Sequence, residues 1–206
     1  MEAEKQKNVH NLETNNKMKN IFLITILLIS ISCNAQIYPL NTSPSDIPDN
    51  AYIKDTNNEL DKYVGVWKGN WNGKILYLEL RKIKYYSQMG KYYSDEIFGE
   101  RKIVNSSGIV EIDRITNFGD EGPEFRGIFN SLKYPGKKRI LFFPYNMCKK
   151  TASLHIMNFD EVNHTMTLHF IYDPTYIDAS CPYYNSVMQG NDFPVNFPKD
   201  IVLTKQ

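Results

Sequence analysis

From Tyr63 to the C-terminus no stretch carries helical periodicity long enough to cross over between parallel strands; short runs of alternating apolar and polar residues take its place. Period two puts successive side chains on opposite faces of a pleated strand. Strands joined by short connections pair antiparallel, so residues 63–206 are expected to form one antiparallel β domain. In 73–82, Leu76, Leu78 and Leu80 share a face while Glu79 and Arg81 take the other. Residues 92–104 and 109–115 flank Asn105-Ser106-Ser107-Gly108, a hairpin turn. Residues 125–132 and 138–143 flank Tyr134-Pro135-Gly136-Lys137, where proline then glycine suits a type II turn. The clearest hairpin joins 151–159 to 165–172, and a last strand covers 200–205. The expected fold is all-β: a single antiparallel barrel of about eight to nine strands, with a β-sandwich as the alternative.

Upstream, Lys17 and Lys19 precede an apolar core at 21–31 and a small-residue exit at Ser32, Cys33 and Ala35. A core this short is a better export signal than a membrane span, which needs about 20 apolar residues. Residues 1–35 are therefore read as a leader, with 18–35 a helical signal peptide and 1–17 upstream of the natural start at Met18. Cys33 has two fates. Cleavage before it leaves an acylated N-terminal cysteine, a lipid tether without a spanning helix; cleavage after Ala35 leaves Gln36 first. The expected location is a periplasmic or outer-membrane-anchored lipoprotein, or a secreted protein. Residues 36–62 carry Pro39, Pro44 and Pro48, which deny regular helix and give an extended N-terminal arm, with a short helical turn at 57–62.

Of 24 basic and 23 acidic side chains, four and three lie in the leader, so the rest of the chain is neutral. Neutrality argues against a nucleic-acid partner and against electrostatic docking to anionic lipid. Cys148 and Cys181 are the only cysteines beyond the leader, and in an oxidising compartment a disulfide between them is expected.

Leu60-Asp61-Lys62-Tyr63-Val64-Gly65-Val66-Trp67 resembles the opening of lipocalin-type barrels, a short helical turn followed by Gly-x-Trp. That likeness implies a tryptophan plugging one end and an opposite end open for ligand. Cys33-Asn34-Ala35-Gln36-Ile37-Tyr38-Pro39-Leu40, the Leu60 to Trp67 run, the 92–100 segment and the 198–205 strand are similar to a family of exported Bacteroidetes proteins classed as a domain of unknown function. The resemblance implies an envelope location and a β fold, and brings no catalytic residues.

Among chemistry-bearing residues, His155 and His169 stand opposite each other if the hairpin turns about Val162, and are read as solvent-facing; Zn²⁺ would need further ligands, so no metal is expected. Asp95, Glu96, Glu100, Glu111, Asp113, Asp120, Glu121 and Glu124 are plentiful carboxylates without a hydrolase motif. No enzyme activity and no cofactor are expected. The tyrosines are the better lead: Tyr85, Tyr86, Tyr92 and Tyr93 flank a connection at 87–91, and with Tyr183 and Tyr184 from the long irregular stretch 173–199 they are candidates to line a barrel mouth. The expected role is a monomeric, non-catalytic envelope protein binding a small apolar or glycan ligand. A structural lipoprotein docking an envelope partner through its arm is the alternative, and a hydrolase a distant third.

Overall fold

The leucines of the first hairpin build the longest pair of strands. β4 (Lys74–Ser87) and β5 (Tyr92–Val104) pair antiparallel along their whole length, from Ile75–Val104 to Ser87–Tyr92. The computed structural model describes residue 19 and residues 36–206, apart from 120–121, 145–147, 149, 174–176 and 192; the leader and Cys33 lie outside the described residues. The remaining strands are β1 (Ile37–Pro39), β2 (Tyr52–Lys54), β3 (Gly65–Trp71), β6 (Val110–Asp113), β7 (Phe125–Asn130), β8 (Lys138–Phe142), β9 (Ala152–Asp160), β10 (Thr165–Tyr172) and β11 (Asp200–Lys205). One short helix, α1 (Tyr184–Met188), interrupts the loop before β11.

Hydrogen bonding runs β5-β4-β3-β11-β10-β9-β8-β7 and returns to β5, so these eight strands form a closed antiparallel barrel rather than a two-layer sandwich. Closure removes the free edges of an open sheet. The three other strands hang on β5. β6 pairs with its C-terminal end, and β2, with β1 beside it, pairs parallel to its N-terminal end at Tyr93 and Ser94. The N-terminal arm therefore runs along the barrel wall and adds strands to its own sheet. Asp55 fixes it there: its carboxylate accepts the amides of Glu59 and Leu60 at 2.8 and 3.0 Å and takes Lys82 at 3.4 Å, while its own amide donates to Asp95 at 2.9 Å.

Alternation carries through to packing. Leu76, Leu78, Leu80, Leu154, Met166 and Leu203 point inward and are fully buried. Trp67 closes the end where β3 begins; its Nε1 donates to the Tyr63 carbonyl at 2.8 Å and its ring meets Phe159 edge-on at 5.8 Å. This is the plug that the Gly-x-Trp likeness implies. The opposite end is not open, against that same likeness. Phe125 and Phe142 stack at 4.4 Å across it, Phe197 sits on Phe142 at 5.3 Å, and Cys181, Phe193 and Val195 are buried in the same cluster. Bulky aromatics from the 173–199 loop fill what an open calyx would leave as lumen.

Arg101 is inward-facing, opposite Leu78, and 4% exposed. A charge in an apolar interior is tolerated only when paired and hydrogen-bonded. Glu124, itself 2% exposed, accepts from its Nε at 2.9 Å, and the Asn196 carbonyl accepts from Nη1 at 2.8 Å. One residue earlier and outward-facing, Glu100 is buried against Arg114 at 3.1 Å; burial raises its pKa against the pull of the guanidinium.

Cys148 and Cys181 are bonded, with a Cα separation of 5.6 Å. The bond ties the β8–β9 connection to the loop that covers the same end. It closes a loop across 33 positions, so the Cys148→Ser/Cys181→Ser variant is expected to lose about 3–4 kcal/mol in urea unfolding without a change of secondary structure.

Candidate functional site

In an up-and-down barrel alternate connections fall at opposite ends. Turns 88–91 and 161–164, the connection 131–137 and the approach to Trp67 share one end; the 105–124, 143–151 and 173–199 connections share the other. The six candidate tyrosines are accordingly divided. Tyr183 packs on Phe193 at 5.3 Å and Tyr184 opens α1, both in the covering loop. The other four belong to the far end of the β4–β5 hairpin. There the two strands' alternation separates them again. Tyr86 and Tyr93 pair at 4.9 Å, with Lys84 over Tyr93 at 4.6 Å and over Tyr52 at 4.3 Å. Tyr85 lies against Phe98 at 5.5 Å, under the Arg126 guanidinium at 4.1 Å. These are packing contacts within the wall. Of the six, Tyr92 lines the arm-side groove.

That groove exists because β7 abandons β5. The two strands pair only at Phe98–Arg126 and Gly99–Phe125. A bulge then falls between Arg126 and Phe129, at Gly127, whose φ is +71. A Cβ at Gly127 would lie 2.2 Å from the Phe129 ring, so the bend and the ring's position both require glycine. A glycine inside an apolar strand pattern is the sequence signal for such a bulge, and it is the one cue that marks this place. β2 takes up the other part of the same β5 edge.

Between them opens a groove of about 740 Å³. Its walls are arm residues 40–44 and 58–60, Tyr92, Ser94 and Glu96 of β5, and residues 127–130 of β7. Three rings border it: Tyr63, Tyr92 and Phe129. Its lining residues are rich in oxygen acceptors: Asn58, Glu59, Asp95, Glu96, Asn130 and Glu161. Its two lysines are engaged, Lys62 with Glu161 at 3.1 Å and Lys138 with Asn130 at 2.8 Å. Asp95 accepts from the Tyr52 hydroxyl at 2.5 Å, and burial together with that carboxylate pushes the Tyr52 phenol up to about 12. Glu96 is held by Arg126 at 2.7 Å and by the Ser94 hydroxyl at 2.7 Å. Each ionised carboxylate offers about four lone-pair sites, so capacity remains for a ligand's hydroxyls.

His155 and His169 do stand opposite each other across β9 and β10, but His155 is not solvent-facing. The 131–137 connection folds over it: the Ser131 hydroxyl lies 3.0 Å from its Nδ1 and the Tyr134 ring packs edge-on at 4.9 Å. His169 pairs with Asp200 at 2.5 Å. Among the described residues no group of three or more metal-ligating side chains converges, and no helix is long and apolar enough to cross a membrane.

A closed eight-stranded antiparallel barrel with a filled interior and a groove at a wall seam is the class that this geometry defines. The chain belongs to a family of unknown function, DUF6705, whose model matches residues 18–206. No curated protein and no solved structure matches it.

Burial lowers the pKa of His155, reinforced by the neighbouring His169, Arg139 and Lys133 and opposed by Asp173. A base held neutral in the fold contributes full stability above its ordinary value of 6.5 and loses it as pH falls below. The melting temperature is therefore expected to drop on acidification from pH 7 through 6.5 and below, and His155→Gln to flatten that part of the profile.

Proposed function

We propose that the protein is an exported, non-catalytic binding protein of the cell envelope, and that it takes a short neutral glycan in the groove between arm and barrel wall. The observation that carries this reading is the groove's composition. Sugar hydroxyls need acceptors and amides around them, and the flat apolar faces of sugar rings need aromatic partners; the groove offers carboxylates and asparagines beside Tyr92, Tyr63 and Phe129. Its size falls within the range of small-molecule sites. The filled interior favours a binding place in the wall over one in the lumen.

Ligand-observed NMR with a set of short neutral oligosaccharides tests it. Saturation transfer to at least one member is expected, with no new sugar product over days. Tyr92→Ala and Phe129→Ala are each expected to weaken binding about tenfold, as loss of a stacked ring worth about 1.4 kcal/mol would. No transfer at millimolar sugar, or binding indifferent to both substitutions, ends the reading.

Export rests on the 18–35 segment, with Cys33 either acylated or removed. The intact mass of the protein taken from its native envelope separates the two forms. A chain beginning at Cys33 with added acyl groups is a tethered lipoprotein, and one beginning at Gln36 is a soluble exported protein. An uncleaved leader would overturn export.

A further inference from the structure

A second groove, of about 660 Å³, lies at the other end of the barrel, between the last residues of β10 and loop residues 193–199. Its polar side chains are of a different kind. Lys74, Lys133, Lys199 and His169 line it together with Asn196, and among the described residues no Asp or Glu does. The Asn196 amide oxygen takes Lys74 at 3.3 Å and its amide nitrogen donates to Glu111 at 3.1 Å. Lys74 is held by Glu111 at 2.6 Å and His169 by Asp200. Lys133 and Lys199 are exposed and have no ion pair among the described residues. Glu111 and Asp200 thus answer Lys74 and His169, and Lys133 and Lys199 are the two cations of the lining left without an ion partner among the described residues.

The rest of the lining is apolar. Trp71, Tyr172, Phe193, Pro194, Val195 and Phe197 face the groove. The Tyr172 hydroxyl is committed to the Phe193 carbonyl, so its ring contributes apolar surface. Donor-only lysines select an occupant that accepts and carries negative charge, and the apolar lining selects one with an apolar body. The oxygen acceptors that suit a neutral sugar's hydroxyl protons are concentrated in the arm-side groove.

We infer that this groove is a second binding site, and that it takes a small amphiphile with a carboxylate head, such as a single free fatty acid. The head lies between Lys133 and Lys199, and the chain lies along Trp71, Tyr172 and Phe197. This site is independent of the arm-side groove in both residues and ligand chemistry.

Fluorescence titration with cis-parinaric acid, a conjugated fatty acid, tests it on the protein expressed from its full coding sequence. The free acid is expected to bind about tenfold tighter than its neutral methyl ester, and Lys133→Glu/Lys199→Glu to abolish that preference. Both lysines are exposed, so the variant keeps its fold, checked by an unchanged melting temperature. Tyr92→Ala, in the other groove, is expected to leave the titration unchanged, which separates failure of this site from failure of the glycan reading. Equal binding of acid and ester overturns the proposal, as does loss of binding in Tyr92→Ala but not in the lysine variant. Flotation with phosphatidylglycerol vesicles in the absence of any parinaric acid signal also overturns it, because the lysines would then mark a membrane contact.

Discussion

A guanidinium inside an apolar barrel cannot be left alone, and Arg101 sets the terms for everything above it. Its charge requires a carboxylate and further acceptors within hydrogen-bond reach, all shielded from water. Glu124 arrives from the connection before β7 and the Asn196 carbonyl from the loop before β11. Two connections that sequence distance would leave independent are thereby brought over the same end. Phe197 follows Asn196 into the aromatic stack with Phe125 and Phe142. The Arg101 guanidinium lies 5.0 Å from the Phe142 ring, so the same cation that anchors the loops also sits against the plug. The disulfide then holds that loop to a third connection. The filled interior is a consequence of this arrangement, and it moves any ligand chemistry out to the walls.

Both grooves lie where the barrel's regularity lapses. The arm-side groove depends on the Gly127 bulge, which turns β7 from β5 after two residue pairs. The other lies where β3 and β11 pair through only Trp67–Lys205 and Lys68–Thr204, with loop 193–199 crossing beyond them. Regular strand pairing leaves no room for an occupant between neighbours about 4.8 Å apart. The cavities of this packed barrel therefore sit at a bulge and beside an unpaired strand end.

Most of the barrel was legible from period two alone. The bounds 92–104, 165–172 and 200–205 match β5, β10 and β11; β10 alternates over most of its length, and turn or proline residues bound β5 and β11. β4 runs on to Ser87, past the 82 read from sequence, because Lys82 and Lys84 break the apolar alternation. Those lysines sit on the strand by facing Asp55, Asp61 and the Tyr52 ring of the arm, partners that no local pattern announces. β1 and β2 are three residues each and pair parallel, too short to show a period. The burial of His155 was illegible for the same reason, since what covers it is a connection that folds sideways from another hairpin. Of the six candidate tyrosines, Tyr92 lines the arm-side groove. Residue type does not tell which face of a strand meets a neighbour and which meets a groove.

β5 joins β4 by one unbroken ladder but divides its opposite edge among β2, β7 and β6. The three partners meet that edge at separate stretches of β5. The ring is closed by Phe98–Arg126 and Gly99–Phe125 alone, so β2 and the arm can detach from Tyr93 and Ser94 without unzipping the barrel. The arm-side groove thus has one wall inside the closed ring and one in an arm outside it, so the two walls are held by different sets of contacts and need not loosen together.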